Sequence, residues 1–171
     1  MAMAGPRTGS IDDVRLVPLK KVVNERGHLM EVQRTDELHF PGFGQCYVTA
    51  THPGVVKAWY RHHRQHDQLV PVRGAVLLVL YDARAHSPTH GMLQEVLLCE
   101  DEPVLVQLPV GIWHGYQTVS ADTAYLVHLN TIPYDPANVD EDRLPPDDPR
   151  IPYRWRSGAD GAAGGSGVPS A

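Results

Sequence analysis

The sequence has little of several features that would narrow its class at once. Only two of its 171 residues are cysteines, Cys46 and Cys99. Two cysteines give no disulfide framework, and their spacing matches no metal-binding motif. No apolar run approaches the ~20 residues of a membrane helix, and the first ten residues lack the apolar core of a signal peptide. We therefore expect a cytoplasmic protein with reduced thiols and no membrane partner.

The chain also lacks an excess of basic residues. It has 15 Lys and Arg against 20 Asp and Glu, which gives a formal net charge of −5. A broad nucleic-acid surface needs a basic excess, so we expect no nucleic-acid partner. An anionic small molecule would need a local cluster of Arg, Lys or His.

What the chain does have is a series of short segments rich in β-branched and aromatic residues, separated by Gly and Pro turns. They include residues 45–51, 75–81, 92–99, 104–108 and 124–130. Many short strands without long helical periodicity are typical of an antiparallel sandwich or barrel. We expect one all-β domain over residues 11–156. Residues 1–10 and the Gly/Ala/Ser-rich tail 157–171 are expected to be disordered.

Two segments carry the residues with chemical potential. The first reads Gly-x5-Tyr-x-His-x4-Asp-x6-Gly from Gly54 to Gly74 and contains Tyr60 and His62, which are two apart and would share a face of a strand. The second, Pro-x-Gly-x-x-His-Gly, contains His114. Because barrels concentrate their sites at the mouth, we expect His62 and His114 to line one pocket.

These two segments resemble the signature motifs of the cupins, small barrels with the site inside. The resemblance implies a cupin-type antiparallel β-barrel (jelly roll). The cupin pattern has His where this chain has Tyr60, and Glu where it has Asp67. His62, Asp67 and His114 form a 2-His-1-carboxylate set, which is typical of non-haem Fe(II) sites. A divalent metal such as Fe or Zn in an oxygenase-like enzyme is therefore one alternative.

Five motifs in order, between about residues 24 and 155, resemble the dTDP-4-dehydrorhamnose 3,5-epimerase family. They lie at residues 24–31, 56–60, 109–115, 131–136 and 147–155. The resemblance implies a nucleotide-sugar epimerase or isomerase that acts next to the keto group of a dTDP-4-keto-6-deoxyhexose without a cofactor. It also implies a homodimer, since barrels of this branch pair through edge strands.

The resemblance also implies roles for individual residues. In the family a His oriented by an Asp removes a proton, and a Tyr on the other face returns one. Tyr134 matches that acid, and Asp148 matches the orienting carboxylate. The residues that match substrate contacts are Arg26, Glu31, Lys57 and His114, together with Asp67 or Gln68 where the family has a Lys.

The position of the family's base is occupied by Tyr60. A phenol titrates near ~10 and is a poor base at neutral pH, so His62 on the same face is the second candidate. We expect proton transfer by Tyr60 or His62 on one side and Tyr134 on the other. Double epimerisation, single epimerisation and ketoisomerisation all remain open. A barrel that binds a sugar nucleotide without catalysis is a third alternative.

Overall fold

The computed structural model describes residues 7–156. Over this range the regular secondary structure consists of strands, and no helix is present. Nor does this part of the chain contain any helix that could cross a membrane. The strands are β1 (Arg7–Thr8), β2 (Arg15–Pro18), β3 (Lys21–Asn24), β4 (Gly27–Met30), β5 (Gln45–Thr51), β6 (Val56–Arg61), β7 (Asp67–Arg73), β8 (Ala75–Asp82), β9 (Met92–Cys99), β10 (Val104–Leu108), β11 (Ile112–Thr118), β12 (Ala124–Asn130) and β13 (Asp142–Arg143).

Two sheets face each other in a cupin-type jelly roll, as the sequence predicts. One has six strands in the order β1-β9-β8-β11-β6-β13, and the other has five in the order β2-β10-β7-β12-β5. β3 and β4 form a separate hairpin. Pairing is antiparallel throughout these sheets except between β1 and β9. β6 and β11 therefore lie in one sheet, while β5, β7 and β12 lie in the other across the interior.

The central strand β8 is buried on both faces, which explains its unbroken apolar sequence. Val76, Leu78 and Leu80 face the interior core between the sheets. Leu77 and Val79 face a second cluster on the outside of the six-stranded sheet, where the C-terminal segment packs with Trp59 and Trp155. This outer cluster fixes the long Pro- and Asp-rich segment after β12 against the barrel.

Most predicted strands agree with the structure, and the domain boundary needs one correction. The segments expected at residues 45–51, 92–99, 104–108 and 124–130 are strands with the same bounds. Residues 7–10, which we expected to be disordered, are ordered. β1 pairs with β9, and the Gly9 N–H group donates a hydrogen bond to the Leu93 carbonyl oxygen. Residues 1–6 and the tail 157–171 lie outside the described residues.

Candidate active site

The predicted pair His62 and His114 lies in one cavity of about 310 Å³ between the two sheets. Tyr60 also lines it, which confirms that Tyr60 and His62 share a face. His114 stands opposite Tyr60 in the β11–β6 pairing. The lining residues are Tyr47, Thr49, Lys57, Tyr60, His62, Asp67, Leu69, His114, Tyr116, His128, Glu141 and Arg143.

Asp67 is the centre of this cavity. Its Oδ2 atom accepts hydrogen bonds from His62 Nε2 at 3.2 Å and from His114 Nε2 at 3.1 Å. Its Oδ1 atom accepts from the side chain of Gln65 at 2.5 Å. Burial alone would raise the pKa of Asp67, but the hydrogen bonds from the two imidazoles outweigh it and hold the pKa well below its usual range. Asp67 is therefore a buried carboxylate.

His62 has no ring nitrogen left to accept a proton. Its Nδ1 lies 2.6 Å from the main-chain carbonyl oxygen of Asp140, and its Nε2 faces the Asp67 carboxylate. Both neighbours can only accept hydrogen bonds, so both nitrogens act as donors. Burial lowers the pKa of His62, but the hydrogen bond and charge of Asp67 outweigh it and raise the pKa to about 9. These contacts favour the imidazolium form of His62 over the neutral base that we expected beside Tyr60.

Tyr60 and Lys57 both face the cavity although they are three residues apart. On a regular strand such residues point to opposite faces. Here the β11–β6 register shifts between His114 and Tyr116, so that two residues of β6 oppose Gly115 alone. This β-bulge turns Lys57 inward together with Tyr60. Burial raises the pKa of Tyr60, which favours the protonated phenol.

One segment that closes the cavity was not identified as functional from the sequence. Asp140, Glu141 and Arg143 belong to the Pro- and Asp-rich segment after β12. The Asp140 carboxylate accepts the backbone N–H groups of Arg64 and Gln65 at 3.0 and 2.9 Å. Glu141 and Arg143 line the cavity itself. The sequence signal was a run of four charged residues, Asp-Glu-Asp-Arg at 140–143, which matches no motif.

The floor of the cavity comes from the opposite sheet. His128 stacks on Tyr47 with ring centroids 4.5 Å apart, and its Nε2 lies 3.0 Å from Thr49 Oγ1. Burial lowers the pKa of His128 to about 4, so the ring is neutral at physiological pH. Tyr116 continues the hydrogen-bond chain to Thr49. Alternation along β5 and β12 was the available signal, but it does not separate a cavity floor from ordinary core.

Tyr134, the expected acid, lines an adjoining cavity of about 290 Å³. The two cavities share Tyr47, His62, Glu141 and Arg143, so they are contiguous. Tyr134 is largely exposed at this outer end. The Arg143 guanidinium lies 5.7 Å from the Tyr60 ring centroid, between the inner and outer cavities.

The position of Asp148 contradicts the prediction that it orients a catalytic histidine. Its carboxylate bonds the Arg150 guanidinium at 2.8 Å, which lowers its pKa to about 2. It lines a separate groove of about 890 Å³ formed by Val56 and residues 146–155. Asp67 is the carboxylate that contacts both histidines.

Three expected substrate contacts also lie away from the cavity. Gln68 is fully buried and bonds Gln107 and the Leu129 carbonyl, because it points to the face of β7 opposite Asp67. Arg26 and Glu31 flank β4 and are exposed, with Arg26 near Glu25 and Glu31 near Arg34. Lys57 and His114, by contrast, line the cavity as expected.

A polar cavity inside a jelly roll, with one histidine directly after β6, another on β11 and a carboxylate on β7, defines a cupin-type enzyme site. The chain belongs to the dTDP-4-dehydrorhamnose 3,5-epimerase family, whose pattern matches residues 8–166. It is therefore a member of a family of dTDP-sugar epimerases, which are enzymes of the isomerase class.

Comparisons with individual proteins agree with this family. The chain is 35% identical to the spore coat polysaccharide biosynthesis protein SpsL of Bacillus subtilis, over 86% of this chain and 97% of SpsL. It is 31% identical to a dTDP sugar isomerase from Desulfovibrio desulfuricans G20, with a TM-score of 0.80 over 85% of this chain and 92% of that one. ChmJ, a 3′-monoepimerase from Streptomyces bikiniensis solved with dTDP-quinovose, is 27% identical, with a TM-score of 0.74 over 85% and 76% of the two chains.

Proposed function

We propose that this protein epimerises or isomerises a dTDP-4-keto-6-deoxyhexose by removing and returning a proton at a carbon next to the keto group. The observation that carries the proposal is the buried Asp67 carboxylate, which holds two imidazoles at 3.1 and 3.2 Å in the wall of a cavity. Removing the proton leaves an enolate with its charge on the C4 oxygen. Fixed cationic donors at that oxygen lower the barrier for the step.

His62 is the proposed cation near that oxygen. Where the family has a Lys this chain has Asp67 or Gln68, neither of which is cationic, and the His62 imidazolium takes the place of that positive charge. Lys57 lines the same cavity and adds a second cation. His62 therefore stabilises the enolate, and the phenol of Tyr60 or Tyr134 returns the proton.

The outer cavity is the proposed site of the diphosphate. Arg64 and Arg143 line it, and both side chains are at least half exposed. One guanidinium group can donate two parallel hydrogen bonds to a phosphate group, which favours arginine over lysine as a phosphate ligand. With the diphosphate at this outer end, the sugar would extend into the inner cavity towards Asp67.

Solvent deuterium exchange tests this function. Purified protein incubated in D₂O with a dTDP-4-keto-6-deoxyhexose is expected to introduce deuterium next to the keto group, and NMR will show at which carbon. Exchange at one carbon indicates single epimerisation or isomerisation, and exchange at both indicates double epimerisation. Tight dTDP binding without any exchange would instead support a non-catalytic sugar-nucleotide-binding barrel.

A metal-dependent cupin enzyme is the second candidate, and one observation favours it. Ligand atoms of His62, Asp67 and His114 lie within 4.8 Å of one another. The Nδ1 atoms of both histidines are backed by main-chain carbonyls, of Asp140 and Ile112, as is common for metal-bound imidazoles. The set fits Fe or Zn. Stoichiometric metal in the purified protein, with loss of activity on chelation, would establish this candidate; a metal-free and fully active protein would eliminate it.

We also propose a cytoplasmic homodimer. Cys46 and Cys99 are unpaired, as expected for a reducing compartment. The edge strand β5 is seven residues long, and Val48 on its outward face is exposed. An open edge of this length presents unpaired backbone N–H and C=O groups, and a second copy of the chain is the simplest partner that could pair with them.

A further inference from the structure

We propose that Glu141 is the catalytic base, the group that takes the proton from the sugar carbon next to the keto group. This inference rests on the proposed epimerisation and adds a residue that the family resemblance did not indicate. It is needed because Tyr60 stands where the family has its histidine base.

Of the other candidate bases in the inner cavity, His62, His114 and Asp67 have no free lone pair directed at a ligand. The Nδ1 atom of His128 has no hydrogen-bond partner, but it is buried in the wall, and burial lowers the pKa of this ring to about 4. The ring nitrogens of His62 and His114 all face carbonyl or carboxylate oxygens. Neither histidine has a free ring nitrogen, whether a proton or a metal ion lies between its ring and Asp67. The Asp67 oxygens accept from His62, His114 and Gln65. Among the described residues that line this cavity, Glu141 carries the one remaining carboxylate.

One oxygen of Glu141 is available for the reaction. Its Oε1 accepts a hydrogen bond from the Arg143 guanidinium. Its Oε2 lies 3.9 Å from His62 Nε2, beyond hydrogen-bond distance. The Glu141 side chain is 20% exposed and lines both the inner and the outer cavity. Oε2 therefore faces the space in which the sugar would lie, next to the cation that would hold the enolate.

The residues on either side of Glu141 fix its position. The Asp140 carboxylate accepts backbone N–H groups of the turn after β6, and the Asp140 carbonyl bonds His62. Asp142 bonds Arg61 and His63 on the following side. Such support on both sides is what an accurately placed catalytic group requires.

The step balances without a co-reactant. Glu141 Oε2 takes the proton from the carbon next to C4, and the electrons of the C–H bond form the C=C bond of the enolate. The carbonyl electrons move to the C4 oxygen, whose negative charge the nearby His62 imidazolium stabilises. A tyrosine phenol then returns a proton to the carbon, and exchange with solvent restores both residues.

The test compares Glu141→Gln with Glu102→Gln, which makes the same change at an exposed residue between β9 and β10, outside both cavities. Deuterium exchange into the dTDP-4-keto sugar is expected to fall at least about 100-fold in Glu141→Gln and to stay near the wild-type rate in Glu102→Gln. Glu141→Asp is expected to keep part of the rate. Formate is expected to restore exchange to Glu141→Ala in proportion to its concentration, which a purely structural residue would not allow.

Two further outcomes separate this inference from the function it rests on. If wild-type protein exchanges deuterium and Glu141→Gln does so at a similar rate, Glu141 is not the base although the epimerase function holds. If Glu141→Gln is impaired and formate has no effect on Glu141→Ala while dTDP still binds, the catalytic role is also refuted. Absence of exchange in the wild type would overturn the proposed function itself.

Discussion

A single carboxylate organises the candidate site at the scale of individual residues. Asp67 is almost fully buried, and its hydrogen-bond capacity is satisfied by His62, His114 and Gln65. A buried charge is tolerated when it is paired and hydrogen-bonded, and it becomes costly when a partner is removed. The arrangement therefore couples the stability of the fold to the geometry of the site.

Asp67→Asn is expected to lower the free energy of unfolding by about 3 kcal/mol, because it removes the anion between two imidazoles. Urea denaturation at pH 7 measures the change. The control is Asp36→Asn, which removes a carboxylate paired with Arg34 on an exposed turn and is expected to cost under about 1 kcal/mol. Equal losses in the two variants would show that the Asp67 pairing adds little.

The protonation of His62 predicts a fall in stability at alkaline pH. Its pKa is about 9 in the folded protein, against an ordinary value of 6.5. The folded state holds the proton more tightly, so this stabilisation is complete below pH 6.5 and is lost as the pH rises through 9. Asp67 acts in the opposite direction, since its lowered pKa gives stabilisation that is lost only in acid.

Urea titrations in EDTA, from pH 6.5 to above 9, measure this effect. The wild type is expected to lose roughly 3 kcal/mol, at about 1.4 kcal/mol per pKa unit, and His62→Asn is expected to lose much less over the same range. His86→Asn, in an exposed loop, is the control and keeps the wild-type profile. A flat wild-type profile would show that His62 is neutral.

At the scale of elements, the bulge in β6 decides which side chains enter the cavity. Gly115 stands opposite the bulge, and a Cβ atom there would overlap the Ala58 side chain and approach its backbone. The strands themselves could be predicted from alternation and turn residues. The bulge could not, because it depends on cross-strand packing between Gly115 and Ala58, which are far apart in sequence.

Gly115→Ala is expected to destabilise the protein by about 1–3 kcal/mol through overpacking, and to reduce deuterium exchange because Lys57 and Tyr60 shift. Thermal unfolding and the exchange rate measure the two effects. Gly9→Ala is a matched control, since its added methyl meets the flexible end of Met92. A fully active and stable Gly115→Ala would show that the bulge is not needed for the site.

At the scale of the whole molecule, the barrel leaves β5 as an open edge of the five-stranded sheet. Val48 is 58% exposed on this strand, and its neighbours Tyr47 and Thr49 face the cavity instead. A partner across β5 would therefore stabilise the strand that forms the cavity floor. Assembly and activity should be coupled for this reason.

Val48→Lys is expected to shift the protein from dimer to monomer, because lysine on an edge strand disfavours pairing. Light scattering over a range of concentrations measures the molar mass. Leu97→Lys is the control, since Leu97 is similarly exposed (60%) but lies on β9 in the other sheet. A monomeric wild type, or a Val48→Lys variant that remains dimeric, would contradict pairing through β5.

The fold and part of the site could be predicted from the sequence because the residues concerned lie in local patterns. His62 and His114 lie in motifs whose local turns fix their direction, and Lys57 and Tyr60 are close to His62 in the chain. Glu141 and His128 reach the cavity through long-range packing that no local pattern encodes. Asp148 matched a motif, but its carboxylate accepts hydrogen bonds from Arg150, which is two residues further along the chain.

The most direct test is a crystal structure with a dTDP-6-deoxyhexose that has a hydroxyl in place of the 4-keto group. The account predicts the sugar in the inner cavity, its C4 oxygen beside the His62 ring and a neighbouring C–H bond directed at Glu141. The diphosphate would lie between Arg64 and Arg143. A sugar seated in the groove beside Asp148 and Trp155, with the Asp67 cavity empty, would contradict it.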